Sequence, residues 1–227
     1  MVLPVALGLF GVLCIMLQPL RRRLAGPIGD FAGKIFSSMF FCLAGVAGAA
    51  AREGLNWQAA ALLFGFCLAC LGDIMLAIGP VLDSPEKNGA YARTMGAVPF
   101  FLAHVLNLVV LISRGGFSPY YAPLVFILPA FYAGLWKQKI LDFGKQGVPL
   151  LLYALVLGAL VPAAAMTRGA LLWLTLPASC LFILSDTSLF LFNYGPKKDI
   201  ARAKVSWLVM FPYYLAQALM ACAVALV

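Results

Sequence analysis

Two aspartates stand where a carboxylate is expensive. Asp73 lies within the apolar stretch 58–79 and Asp186 within the apolar stretch 169–194. A charge at the centre of a bilayer costs about 2.5 kcal/mol or more on insertion scales, so each is a functional hypothesis by default. A pair of carboxyls can divide acid and base work. One, protonated, gives a proton to the substrate; the other, ionised, steadies the cation that forms or takes a proton from attacking water. Held close and desolvated, the two cannot easily both ionise, and a shared proton would set them in these opposite roles. His104, the only histidine in the sequence, and the cluster Tyr213, Tyr214 and Gln217 are candidates to hold substrate, water or a carboxyl.

The spacing joins these residues into a pattern. At an offset of 113 residues Cys67, Leu68, Leu71, Asp73 and Leu76 coincide with Cys180, Leu181, Leu184, Asp186 and Leu189. At the same offset Pro99, Leu102, Ala103 and Leu106 coincide with Pro212, Leu215, Ala216 and Leu219, and His104 falls on Gln217. The expectation is two related halves, 1–114 and 115–227, each donating one buried carboxylate. Separated by an even number of helices, the halves would point the same way through the membrane about an axis along its normal. Gln217 cannot act as an acid or base at neutral pH, so its equivalence with His104 favours positioning over proton transfer for the histidine.

The elements that must position these residues follow from composition. With 64% hydrophobic residues, 11% charged residues and a mean hydropathy of +1.00, the chain has no means of building a water-soluble surface. Apolar runs near 2–20, 31–51, 58–79, 94–113, 119–136, 147–166, 169–194 and 205–226 have lengths that suit ~30 Å of hydrocarbon. These predict an all-α polytopic protein of eight transmembrane helices in one membrane domain, 1–227. The first run lacks a preceding charged stretch and a cleavage site, and reads as a retained helix.

The net charge of +8 is informative in its distribution. The odd connections hold Arg21, Arg22, Arg23, Lys87, Arg93, Lys137, Lys139, Lys145, Lys197, Lys198, Arg202 and Lys204, whereas the even ones hold Arg52, Arg114 and Arg168. The positive-inside rule makes the odd loops cytoplasmic. No nucleic-acid motif accompanies the charge. Both aspartates then lie roughly 9–14 Å inside the cytoplasmic boundary, in one layer with His104, Tyr213, Tyr214 and Gln217. The longest connections follow the two aspartate-bearing helices, and each opens on a helix-stopping Gly-Pro pair, Gly79-Pro80 and Gly195-Pro196. All six cysteines fall within apolar spans, which argues for helix packing rather than a disulfide framework or a zinc site.

The stretches Cys70-Leu71-Gly72-Asp73-Ile74-Met75-Leu76, Phe101-Leu102-Ala103-His104, Leu184-Ser185-Asp186-Thr187-Ser188-Leu189 and Tyr213-Tyr214-Leu215-Ala216-Gln217, in this order, resemble the lysoplasmalogenase family of small eight-helix membrane proteins, the YhhN-type proteins. The resemblance runs from the third helix to the eighth. It implies hydrolysis of the vinyl ether bond of a lysoplasmalogen, a single-chain ether lysophospholipid with an ethanolamine or choline headgroup, to a fatty aldehyde and a glycerophospho-alcohol. Asp73 and Asp186 are then the implied catalytic pair, and neither a metal nor a cofactor is needed. Asn107, and Phe211-Pro212 before the tyrosine pair, depart from the commoner pattern and bear on substrate preference. An enol ether is cleaved by protonating its β-carbon, capturing the oxocarbenium-like cation with water and letting the hemiacetal collapse. Asp186 is assigned as acid and Asp73 as base.

Each residue also has a plainer reading. The aspartates could be hydrogen-bonded carboxyls that specify helix packing, and the tyrosines interface anchors. Lys34 could pair with Asp30, bind a lipid phosphate or extend towards the headgroups. Ser179 and Ser185 have no nucleophile elbow, so Ser185 joins Asn107, Lys34, His104, Tyr213, Tyr214 and Gln217 as a substrate-binding candidate. The rival functions are a proton-coupled transporter, an intramembrane aspartyl protease and a lipid-binding scaffold. A transporter would have paired breaks in the aspartate-bearing helices; here Pro99 and Pro212 interrupt the following pair instead. The protease reading lacks a Gly-x-Gly-Asp and a Pro-Ala-Leu element. A bacterial inner membrane suits the compact chain, with the endoplasmic reticulum as the alternative location.

Overall fold

A peptide group in hydrocarbon has no water to bond, so an apolar chain satisfies its backbone internally as helix. The computed structural model describes residues 2–52, 54–78, 87–116, 118–195 and 202–227. Among these residues the structure is helical throughout, with no strand. The α-helices are α1 (Val2–Met16), α2 (Gln18–Ala50), α3 (Trp57–Ile78), α4 (Lys87–Gly115), α5 (Ala122–Val125), α6 (Ile127–Lys137), α7 (Gly147–Ala165), α8 (Gly169–Tyr194) and α9 (Arg202–Ala223). The connections after α3 and α8, with Gly79-Pro80, Pro196 and the basic residues Lys197 and Lys198, lie outside the described residues.

Among the described residues six helices are long and apolar enough to cross a membrane, ending in sequence with 169–194 and 207–226. The chain is an integral membrane protein. The expected eight spans differ at two places, and proline accounts for both. Helix α1 has 15 residues and bends by 44° into the first part of α2, giving a seventh span if the pair is taken as one. Pro19 cannot donate to the carbonyl of Ile15, which favours a bend at this point. The stretch 119–136 is broken at Phe126 between α5 and α6. Pro129 has no N–H for the carbonyl of Val125, which weakens the turn where the helix breaks. Pro99 and Pro212, by contrast, lie inside continuous helices rather than interrupting them.

A further break divides α2 itself. Gly26 takes φ 57° and ψ −143°, a backbone conformation open to glycine, and Pro27 disfavours helix at the residue before it. The spanning part of α2 therefore begins at Ile28.

The six spanning helices close into a ring. Helix α2 packs on α3, α3 on α4, α4 on α7, α7 on α8, α8 on α9, and α9 back on α2. Outside the ring, α1 lies against α2 and α9, while α5 and α6 lie against α7. Apolar side chains such as Phe36, Phe64, Val98 and Leu152 face outward, as a lipid-bathed surface requires. Phe41, Phe66, Phe100, Phe182, Tyr213 and Tyr214 are buried within. Gly72 matters to this interior because the Phe100 ring occupies the place of its absent side chain, 2.7 Å from where a Cβ would stand. That close approach seats Phe100 edge-on to Tyr213, with ring centroids 5.6 Å apart, immediately beside Asp73.

Candidate active site

The two aspartates are buried, 4% exposed at Asp73 and 7% at Asp186, and each is held by donors from two other helices. Three hydroxyls converge on Oδ2 of Asp73. Ser38 Oγ on α2 donates at 2.6 Å, and Tyr213 and Tyr214 on α9 stand at 3.1 Å and 3.3 Å. Ser38 also reaches the Lys34 carbonyl one turn back at 2.9 Å. Tyr214 lies 3.2 Å from Ser38 Oγ and 3.3 Å from the Lys34 carbonyl. A phenol has one proton to give, so Tyr214 chooses among these acceptors. Buried hydroxyls spaced this way form a network in which loss of one member leaves another unpaired.

Asp186 is served differently. Tyr153 on α7 donates its hydroxyl to Oδ2 at 2.6 Å, and His104 Nε2 on α4 lies 3.4 Å from the same oxygen. The His104 ring is fixed edge-on to Phe182 at 4.8 Å and to Tyr153 at 5.8 Å. Phe182 in turn meets Tyr213 at 6.3 Å, so ring contacts run from one carboxyl's partners to the other's. Beside Asp186, Thr187 shares a 2.6 Å hydrogen bond with Tyr132 of α6.

No hydrogen bond joins the two carboxyls among the described residues. Each has its own donors, so the proton shared directly between them that close carboxyls would adopt is not the arrangement here. Two buried atoms, His104 Nδ1 on α4 and Gln217 Oε1 on α9, find no hydrogen-bond partner in the protein. Buried polar atoms are nearly always paired, and these two are where a bound polar molecule gains bonds. They occupy the positions that coincide at the 113-residue offset.

Of the other candidates, Lys34 contributes its carbonyl to the Asp73 network. Of the readings open to Lys34, the pair with Asp30 is not formed; Asp30 accepts from Gln18 Nε2 at 2.6 Å instead. Ser185, beside Asp186, turns its hydroxyl to the Val209 carbonyl at 2.8 Å, tying α8 to α9. Asn107 is buried one turn beyond His104 and faces Gly65 of α3.

Sequence reasoning missed Ser38 and Tyr153, the shortest donor to each carboxyl. The signal available was a hydroxyl in the middle of the second helix and another in the helix beginning near 147, each on a span adjacent to an aspartate-bearing one. Two carboxyls set in hydroxyl donors inside hydrocarbon can move protons to and from a bound molecule, and no groups of three or more His, Cys, Asp or Glu able to hold a metal ion occur among the described residues. The chain matches the YhhN family over residues 30–224. No curated protein and no solved structure matches it.

Proposed function

The chain belongs to the YhhN family, which includes lysoplasmalogenases, and from that premise we propose that it hydrolyses the vinyl ether bond of a lysoplasmalogen within the membrane. The observation that carries the reading is the pair of buried carboxyls, Asp73 and Asp186, each accepting a short hydrogen bond from a hydroxyl on a neighbouring helix. Packing alone gives no reason to bury two such groups at comparable depth.

In this reading Asp186 is the acid. Its proton goes to the β-carbon of the enol ether, the double bond supplies the electrons for the new C–H bond, and the α-carbon becomes an oxocarbenium-like centre. Asp73 stays an acceptor, stabilises that cation and removes a proton from the water that adds to it. The hemiacetal then loses the glycerophospho-alcohol and leaves the aldehyde. Tyr153 orients the acid, and Ser38, Tyr213 and Tyr214 orient the base. His104 Nδ1 and Gln217 Oε1 are places for the water or the ether oxygen to bond.

We further read the ring as two parallel halves. The second helix of each half packs on the fourth helix of the other, α2 on α9 and α7 on α4, as an axis along the membrane normal requires. The odd loops are placed in the cytoplasm, and a bacterial inner membrane is the proposed location.

The test is release of fatty aldehyde from an alkenyl-lysophospholipid by purified protein in detergent, with a chelator present. Asp73→Asn and Asp186→Asn should each lower the rate by at least 100-fold, the lower end of what acid–base groups contribute. Full activity in either variant refutes the paired-carboxyl mechanism. A folded wild type that yields no aldehyde brings forward proton-coupled transport.

A further inference from the structure

A groove of about 250 Å³ lies between α4 and α7. Ala97, Val98 and Phe101 form one wall, and Pro149, Leu150 and Leu152 the other. Val98 and Leu152 are 52% and 55% exposed on the outer surface of the ring, so the groove opens sideways onto the lipid. Its two ends differ. At one, where α8 stops and α7 begins, Tyr194 donates to Gln146 Oε1 at 2.6 Å, and the exposed Lys145 stands next to Gln146. At the other is Tyr153, whose hydroxyl is bonded to Asp186. Gln146 and Tyr153 are separated by about 10 Å along the helix. A smaller cavity shares Ala97, Leu150 and Tyr153 with the groove and continues inward to Phe100 and Phe190.

An occupant of this groove must be apolar along most of its length, polar at the Gln146 end and slender enough for one chain. The volume falls just below the ~300 Å³ at which ligand pockets usually begin, a size that suits one slender chain. Lys145 offers a cation to an anionic end. We propose that the α4–α7 groove is the binding track of a single-chain phospholipid. Its phosphate-bearing end lies at Lys145, Gln146 and Tyr194, the first carbons of its chain lie against Tyr153 beside Asp186, and the rest of the chain leaves between Val98 and Leu152 into the bilayer. The track rests on the hydrolase reading for the reaction it serves, but not for the binding itself.

The experiment is photolabelling of the full-length protein in detergent with a lysophospholipid carrying a diazirine near the start of its chain, followed by peptide mapping. Labels are expected within 97–101 and 149–153, displaced by unlabelled lysophospholipid but not by a two-chain phospholipid. Ala97→Phe, which fills the groove, should cut that labelling about tenfold. It should also lower kcat/KM for a long-chain alkenyl lysolipid relative to a short-chain one by a similar factor, the scale on which an apolar pocket discriminates by one methylene. Leu152→Trp, on the bilayer-facing side where folding is not at stake, should do the same to a smaller extent. Labels spread evenly over the lipid-facing helices, or unaltered labelling in both variants, overturn the proposal. If the wild type releases no aldehyde yet labels on α4 and α7, the hydrolase reading fails and the track stands.

Discussion

Asp73 and Asp186 occupy corresponding turns of α3 and α8, yet their surroundings differ. Three hydroxyls from α2 and α9 crowd one oxygen of Asp73. Asp186 has one hydroxyl and one imidazole nitrogen, and its tyrosine borders a groove open to lipid. A carboxyl whose oxygen is already filled by three hydroxyls is suited to remain an acceptor, whereas one with a single hydroxyl and a more distant imidazole, beside an open groove, is suited to meet a substrate and give up a proton. Equal positions in the sequence pattern thus carry unequal chemistry, and the inequality comes from neighbouring helices.

The comparison breaks most visibly at the donors. Tyr153→Phe removes the one hydroxyl on Asp186 and should lower kcat by about 10- to 100-fold, while Ser38→Ala takes away one of three at Asp73 and should cost less than about tenfold. Steady-state aldehyde release from both variants decides it, and the reverse order would exchange the roles of the carboxyls. A middle-sized effect is expected from His104→Gln, which gives the fourth helix the residue that α9 already carries. If His104 positions the substrate, KM rises a few-fold and kcat stays within about fivefold; a loss near 100-fold would assign it the proton transfer. Smallest is Ser185→Ala, which releases the tie to Val209. Reversible unfolding in detergent should show a loss of about 0.6 kcal/mol, typical of an interhelical hydrogen bond in a membrane protein.

The spans were legible because hydropathy sums side chains over a window, and the aspartates because a charge stands out against that background. What the window does not register is a peptide group that cannot bond. In 119–136 the side chains are apolar enough, and the helix still breaks at Phe126, where Pro129 has no N–H for the carbonyl of Val125. The donors were hidden for another reason. At the 113-residue offset Tyr153 falls on Phe40 and Ser38 on Leu151, so a search for shared residues passes over both. The ring order was also out of reach, since helices apolar on nearly every side do not declare which neighbour they face. The groove follows from that order, because α4 meets α7 only once the ring closes.

The closure of the ring also has a consequence for synthesis. Asp73 is laid down on α3, but Tyr213 and Tyr214 lie 140 and 141 residues further along the chain. While the polypeptide is being made, that carboxyl has Ser38 on the preceding helix as its nearest companion and waits for the last helix to arrive. The site is therefore completed only when the last helix is in place, and a chain inserted halfway holds Asp73 and Ser38 in the membrane without Asp186 or the two tyrosines.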